Sequence, residues 1–477
     1  MSEQDTPDPS YDVIVIGGGP VGENAAERTA SAGLRTVLVE AERYGGECSF
    51  WACMPSKALL RPPEAVDAAR HVPGGGTAAA GDLDVPAVLR SRDEFTAHWD
   101  DAGQVEWAVG VGIEILRGHG RLAGERAVEV TTGDGVRQLT ARHAVVVATG
   151  SVPAEPPIEG LADTKHWGSR EATSAHEVPP SLVVLGGGVV GSEMAQAFTG
   201  LGSRVTLVAD SGLLGRAEPF AGEMLADSLR AQGVTLHTGA RARGVDRDDQ
   251  GVHLQLDDGS TVSGDELLVA TGRRPATSDL GLETVGLEPG QTLTVDDSGV
   301  VEGLDGNWLH AVGDVNGRAP LTHQGKHQAR IVGSVVVARA RGELPDTIAA
   351  WTAYSLAADH VAVPQVVFTT PQVASVGRTA AEAGEAGLRT RVVDLDIDVA
   401  GAYLHRESYS GKARFVVDED RRVLVGVTFV GPDVAELLHS ATVAVAGEVP
   451  LERLWHAVPS YPTISEVWLR FLEEYGL

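Results

Sequence analysis

Lysine is nearly absent from this 477-residue chain: Lys57, Lys165, Lys326 and Lys412 are the whole set, and arginine supplies the remaining positive charge. Cysteine is scarcer still, with only Cys48 and Cys53. Two cysteines build neither a multi-disulfide extracellular scaffold nor a four-cysteine metal site, so any sulfur chemistry is local to that pair and no metal centre is expected. Long apolar runs are missing too. Leu182–Leu185 and Ala144–Ala148 fall far short of the ~18 residues that span a bilayer. The acidic start, Met1 to Tyr11, lacks the basic stretch and apolar run of a secretion signal. A cytoplasmic protein is the expectation. Positive charge is in deficit, at a net −28, and that field repels nucleic-acid phosphates and anionic membranes alike.

What is present is a pattern that occurs twice. Tyr11–Gly17 is a β-branched run that reads as a buried parallel strand. It enters Gly17-Gly18-Gly19-Pro20-Val21-Gly22, an Ala-rich helical stretch at 24–32, and a second strand, Thr36–Val39, ending on Glu40. A G-x-G-x-x-G turn alone is a weak signal. Here strand, helix, second strand and terminal carboxylate fall in register, as dinucleotide binding requires. Gly17, Gly19 and Gly22 let backbone amides approach a pyrophosphate, and Glu40 can accept from ribose hydroxyls. The second copy has the strand Leu182–Leu185, the turn carrying Gly186, Gly188 and Gly191, a helix at 192–200 and the strand Val205–Val208. Two such units imply two dinucleotides and hydride traffic between them. Ala144–Gly150 and Leu267–Gly272 both end in Ala-Thr-Gly, and each is expected to close the edge of its nucleotide domain. Thr149, Gly150 and Gly272 join the candidate cofactor contacts.

Residues 73–81 and 153–159 read as loops or linkers. Residues 281–350 have no dinucleotide turn but contain His310–Asp314, a strand ending in Gly313-Asp314. From about 351 the pattern becomes that of a compact α+β unit, with a helix at 379–386 and strands near 368–377, 391–395, 413–417 and 423–430.

The segment Gly45-Gly46-Glu47-Cys48-Ser49-Phe50-Trp51-Ala52-Cys53-Met54-Pro55-Ser56-Lys57 meets every fixed position of GG-x-C-x4-C-x-P-x-K. It resembles the redox-active disulfide segment of the class I pyridine nucleotide-disulfide oxidoreductases, the group of dihydrolipoyl dehydrogenase, glutathione reductase and mercuric reductase. The resemblance covers nearly the whole chain in order. It implies an α/β fold with two Rossmann-like dinucleotide-binding domains and a C-terminal α+β dimerisation domain. The expected division is an FAD-binding domain at 1–160 with a second part at 281–350, an NAD(P)-binding domain at 161–280, and a dimerisation domain at 351–477. FAD and NADH or NADPH are the implied cofactors, a homodimer the implied assembly, and a small molecule the implied electron acceptor.

The resemblance also implies roles. NAD(P)H passes hydride to the flavin, the electrons open a Cys48–Cys53 disulfide through the flavin-proximal Cys53, and Cys48 becomes the outward interchange thiol. Lys57 and Glu193 match the family's buried ion pair beside the flavin. Gly46, Gly313 and Asp314 match flavin contacts, Asp314 at the ribityl chain. His323, in Leu321-Thr322-His323, matches the segment beneath the flavin, and a structural role for it is the competing reading. Arg273 matches a cationic position between the nucleotide sites. Asp210 favours NADH through the 2′-hydroxyl, and Arg216 favours the NADPH phosphate.

Three departures carry information. Where disulfide-reducing members have His-Pro-Thr-x-x-Glu, this chain has Tyr461-Pro462-Thr463-Ile464-Ser465-Glu466. Tyrosine as a residue type ionises near ~10 and is a poor proton shuttle at neutral pH, although it donates a hydrogen bond. His456, five positions earlier, is the alternative acid, and Tyr461-Pro462 is a candidate cis bond. Mercuric reductases also lack that histidine but deliver metal through a further cysteine pair, as large thioredoxin reductases relay through a terminal thiol pair; with two cysteines, neither relay is expected. Lastly, Phe50, Trp51 and Ala52 make the intercysteine loop bulky, either as an apolar platform for an aromatic acceptor or by packing under the first helix.

The functional expectation is an FAD-dependent NAD(P)H oxidoreductase with a Cys48–Cys53 centre that reduces a small disulfide or quinone-like acceptor. The alternatives are a dihydrolipoyl dehydrogenase or low-molecular-weight thiol-disulfide reductase proper, and, in another class, a non-catalytic flavoprotein binding subunit.

Overall fold

The computed structural model describes residues 9–477, so the acidic start Met1–Asp8 lies outside the described residues. The described chain divides into two compact units, one of residues 9–53, 96–152 and 273–360, the other of 54–95, 153–272 and 361–477.

The first unit is built on the strand Ser10–Ile16, whose Val13 to Ile16 are buried and whose parallel neighbours are Thr36–Glu40 on one side and the long strand Gly135–Val147 on the other. Glu114–Arg117 extends the sheet beyond Thr36–Glu40. A parallel strand covered on both faces needs apolar side chains at consecutive positions, and the sequence supplies them. Ala144–Val147 does not close this sheet: Leu309–Ala311 pairs alongside it, so the Ala-Thr-Gly strand is interior. No local pattern marks this, because the edge strand Leu309–Ala311 arrives from a distant segment of the chain. The other half of Gly135–Val147 turns antiparallel against Ala127–Thr132 and His119–Leu122. The first helix, Pro20–Ala30, starts four residues earlier than its alanines suggest, with Pro20 at a position where a missing N–H costs nothing. The 19-residue helix Thr322–Ala340 packs against it.

In the second unit the parallel order is Thr235–Thr238, Arg204–Ala209, Ser181–Leu185, Glu266–Val269, so here the Ala-Thr-Gly strand does lie at the edge, as expected. A three-stranded antiparallel sheet, Ala242–Asp248, Gly251–Leu256 and Thr261–Gly264, adjoins it in sequence. Residues 361–477 form a five-stranded antiparallel sheet in the order Pro364–Val367, Gln372–Gly377, Val423–Gly431, Lys412–Asp418, Thr390–Asp396. Helices Leu438–Ala446 and Val467–Tyr475 share its core, where Phe415 stacks on Phe471 with centroids 4.1 Å apart. The helix foreseen at 379–386 is Ala380–Glu385, closed by a reciprocal cap between Thr379 and Glu382. The loop at 73–81 holds one short helical turn, Gly75–Ala78. Among the described residues no helix is long and apolar enough to cross a membrane, and no group of three or more metal-binding side chains forms.

His310, on the edge strand, is fully buried with Arg339 Nη1 3.1 Å from its Nε2; burial pushes its pKa down to about 3. The unfolded chain takes up a proton near 6.5 and the folded chain only near 3, so stability falls as pH drops through that interval, by up to about 1.4 kcal/mol per unit. Guanidinium midpoints measured from pH 7 to 4.5 should decline in the wild type. They should decline less in His310→Phe; an unchanged slope removes His310 as the cause.

Candidate active site

Both glycine turns repeat one backbone solution. Gly17 has φ +107° and Gly186 φ +120°, and a Cβ on either would lie within 2.4 Å of a carbonyl, that of Ala148 or Ala270. A Cβ on Gly22 would sit 1.8 Å from the Gly17 carbonyl, and one on Gly191 1.9 Å from that of Gly186. Only glycine allows helix and strand to meet this closely. The helices that follow, Pro20–Ala30 and Val189–Gly200, start at Gly19 and Gly188 with no side-chain cap, leaving their first amides directed at whatever lies ahead. Glu40 accepts the Gly18 and Glu42 amides at 2.7 Å each, which fixes its carboxylate at the end of its strand.

Around the first turn the first unit collects polar groups. Thr149 Oγ1 and Glu23 Oε1 are buried without a hydrogen-bond partner. Burial lifts Glu23 to about 7, against the pull of Lys326 and with the push of Glu40. Asp314 Oδ2 accepts from Ser151 Oγ at 2.6 Å, and Arg273 donates to Ser151 through Nε at 2.7 Å and Nη2 at 2.6 Å. Arg273 also lies 3.7 Å from Glu47, the residue before Cys48. Uncapped amides, a strand-end carboxylate, an orphaned threonine hydroxyl and Asp314 together suit a dinucleotide with ribose and ribityl hydroxyls. Gly150 and Gly313 adopt positive φ of +72° and +78° on the two chain segments that hold Ser151 and Asp314.

Cys48 and Cys53 are thiols here, both partly buried and hydrogen-bonded to one another. Cys48 lies in the short helix Gly46–Phe50, and Cys53 opens the 18-residue helix Cys53–Arg70, whose positive end favours a thiolate. Cys53 Sγ is 3.3 Å from Thr322 Oγ1, at the start of Thr322–Ala340. The hydrogen bond to Cys53 and burial push the Cys48 thiol up, and Thr322 and Lys326 oppose them. Thr322 thus contacts Cys53 and Lys326 acts on Cys48 through its charge, while His323, one residue along, is exposed. Phe50 is 1 % exposed and packs, so it is not part of an open platform; Trp51 stays half-buried.

In the second unit Lys57 Nζ donates to Glu193 Oε2 at 2.7 Å, and the Phe368 amide donates to Oε1 at 2.9 Å. Glu193 is buried, but Lys57 keeps about a third of its side chain exposed at 36 %, with Nζ 4.9 Å from the Phe368 ring centroid. The pair forms as expected, although only its carboxylate is buried. Phe368 completes it, and sequence offered no signal for that contact across more than 170 residues. Asp210 and Arg216 are both exposed, following the strand Arg204–Ala209, and Gly272 has φ +134°. Tyr461 is 75 % exposed, His456 is exposed too, and Tyr461-Pro462 is cis. Glu466 is buried, with Oε2 lacking a partner and Oε1 3.5 Å from Arg470.

Residues 11–342 match the pyridine nucleotide-disulphide oxidoreductase family and 363–470 its dimerisation domain. The chain belongs to that family. It is therefore an NAD(P)H-dependent flavoprotein oxidoreductase that uses FAD, which sets aside a purely binding subunit. A mercuric reductase of Streptomyces lividans is 32% identical over 468 residues, covering 96% of this chain and 94% of its own. A dihydrolipoyl dehydrogenase of Thermus scotoductus is 33% identical over 470 residues, covering 96% and 95%. Among solved structures, LpdA of Mycobacterium tuberculosis superposes with TM-score 0.81 at 27% identity over 98% of this chain and all of its own. The HOCl-induced flavoprotein disulfide reductase RclA of Escherichia coli, as its Cu(II) complex, gives TM-score 0.82 at 24% identity over 97% and 99%, a likeness of fold.

Proposed function

We propose that this oxidoreductase takes electrons from NADH, holds them on the Cys48–Cys53 pair, and delivers them to a small quinone-like acceptor. The observation that carries this reading is a full set of electron-entry residues in a chain without the usual proton-delivery histidine. Cys53 is held against Thr322 and Cys48, and Lys57 against Glu193. The position that supplies an acid–base histidine in disulfide-reducing members is Tyr461. FAD, when bound, supplies the two-electron carrier that links nicotinamide and sulfur chemistry. The chain's own tasks are then to seat it through the Gly17–Gly22 turn, Glu40 and Asp314, and to keep the sulfurs adjacent. The disulfide takes up two electrons and two protons to become two thiols. A quinone takes the same number to become a hydroquinone, whose oxygens draw protons from water without a dedicated acid. A leaving thiolate in a mixed disulfide gains far more from one.

The first glycine unit is assigned to FAD and the second to NADH, Asp210 favouring the 2′-hydroxyl over a phosphate. We assign a homodimer as well. The match of 363–470 to the dimerisation domain supports it, as do the exposed Leu404 (70 %) and Val458 (83 %) in the same stretch as Tyr461. The two family positions Tyr461 and Glu466 would then serve the other subunit's sulfurs. A reducing cytoplasm suits a chain whose two cysteines form one redox pair.

A second reading, reduction of a low-molecular-weight disulfide, has one observation in its favour: the buried, unpartnered Oε2 of Glu466, a carboxylate poised to orient a proton donor. Both readings are separated by steady-state assays of the FAD-loaded protein. Wild type with NADH should reduce quinones and show little turnover of lipoamide, glutathione or mycothiol-type disulfides. Tyr461→His should raise disulfide turnover by about 10²-fold and leave quinone reduction unchanged. Efficient wild-type turnover of any disulfide in that panel replaces the first reading with the second.

A further inference from the structure

Between the two cysteines the loop is held from outside at the Phe50 carbonyl. Ala97, His98 and Trp99 have φ of +48°, +53° and +58°, three successive non-glycine residues in the left-handed region. Side chains with a Cβ disfavour that region, and single visits are the norm. A run of three persists only if what it presents is held by contacts elsewhere. This turn presents the Trp99 indole, whose Nε1 donates to the Phe50 carbonyl at 3.1 Å. Phe50 ends the short helix that carries Cys48, and its carbonyl is among those a helix terminus leaves without an internal partner. Arg43 closes the arrangement: it donates to the Trp99 carbonyl, and its guanidinium carbon lies 6.0 Å from the ring centroids of both Phe50 and Trp51. Asp101, just past the turn, accepts the Tyr44 amide at 2.9 Å and Arg117 at 2.7 Å, tying the turn to the segment next to Arg43.

We propose that Trp99 and Arg43 are positioning residues of the redox pair. They clamp the Cys48–Cys53 loop at Phe50 and so set its thiol–disulfide equilibrium. This rests on the reading that the pair is the electron store. Closing the disulfide forms one S–S bond and releases two electrons and two protons, which oxidised dithiothreitol takes up as it opens to its dithiol. The closure is favoured when the loop is already ordered, because little freedom is left to lose. Freeing the Phe50 carbonyl lets the loop relax and shifts the balance towards the dithiol.

The experiment equilibrates FAD-loaded protein in dithiothreitol redox buffers and counts alkylatable thiols after acid quenching. Trp99→Phe keeps the ring and deletes the donor; its equilibrium constant for disulfide formation should fall about tenfold, about 30 mV in midpoint potential. Arg43→Met should shift the same way, and Arg43→Lys should recover part of the loss. His98→Gly relieves the backbone conformation and keeps both hydrogen bonds; it should titrate like wild type. A Trp99→Phe curve within twofold of wild type overturns the proposal, as does a His98→Gly shift as large as that of Trp99→Phe. Should Trp99→Phe not fold, the Arg43 pair decides alone, with equal curves for Met and Lys counting against the clamp. If wild type itself forms no disulfide in these buffers, it is the electron-store reading that fails.

Discussion

Cys53→Ser, loaded with FAD and titrated anaerobically with NADH, is expected to lose two things at once: the long-wavelength thiolate-to-flavin charge-transfer band of the two-electron-reduced wild type, and quinone turnover, by about 10³-fold. The first loss follows from the donor. A charge-transfer band needs a sulfur anion against the flavin, and serine's hydroxyl stays protonated at neutral pH. The second follows from storage, since without a sulfur pair the reducing equivalents have no resting place apart from the flavin. Cys48→Ser is the informative contrast. It leaves Cys53 beside Thr322 Oγ1, 3.3 Å away, at the first residue of the helix Cys53–Arg70. Cys53 then has no disulfide partner, and the band should be present before any NADH is added, with turnover lost as in Cys53→Ser. Undiminished quinone reduction by Cys53→Ser makes the pair dispensable and ends the electron-store reading. A band that survives in Cys53→Ser and vanishes in Cys48→Ser exchanges the roles of the two sulfurs.

What sequence could show of this site depended on how local the determining interaction is. The glycine turns, the Glu40 strand end and the C-x4-C segment were legible because each is a short run whose backbone demands fix residue types at fixed offsets. Lys57 and Glu193 lie far apart in the chain, and their meeting, at 2.7 Å, could be stated only through the family resemblance. Where the partner comes from a distant segment and no motif marks it, sequence was silent. Leu309–Ala311 takes the edge from the first Ala-Thr-Gly strand. Thr322 lies 3.3 Å from the Cys53 sulfur, a contact no sequence feature marked. For Phe50 sequence allowed both platform and packing; its burial decides for packing, with the Trp99 indole on its carbonyl. The lysine scarcity drew attention to Lys57, which pairs with Glu193; Lys326, which opposes the upward push on Cys48, carried no sequence signal.

The second large effect separates the two glycine turns. Gly22→Ala and Gly191→Ala each add a single Cβ, and each Cβ would start within 2 Å of a backbone carbonyl oxygen, 1.8 Å from Gly17 and 1.9 Å from Gly186. No rotamer relieves a backbone clash, so the helix must withdraw from its strand end and carry its first amides off the pyrophosphate. Chemically the two substitutions are the same. Their consequences should not be, if the units hold different dinucleotides. Gly22→Ala is expected to purify with less than about a tenth of its FAD, and activity falls with the bound flavin. Gly191→Ala keeps its flavin absorbance, and its KM for NADH rises about 100-fold, a loss of about 2.7 kcal/mol of binding. The readouts are orthogonal: flavin per chain after gel filtration for one, and KM at full flavin occupancy for the other. Loss of FAD from Gly191→Ala with retention in Gly22→Ala reverses the assignment of cofactors to units. Full flavin and an unchanged KM in both variants would mean that neither turn seats a dinucleotide, because a 1.8 Å contact cannot be absorbed without moving the amides that would hold it.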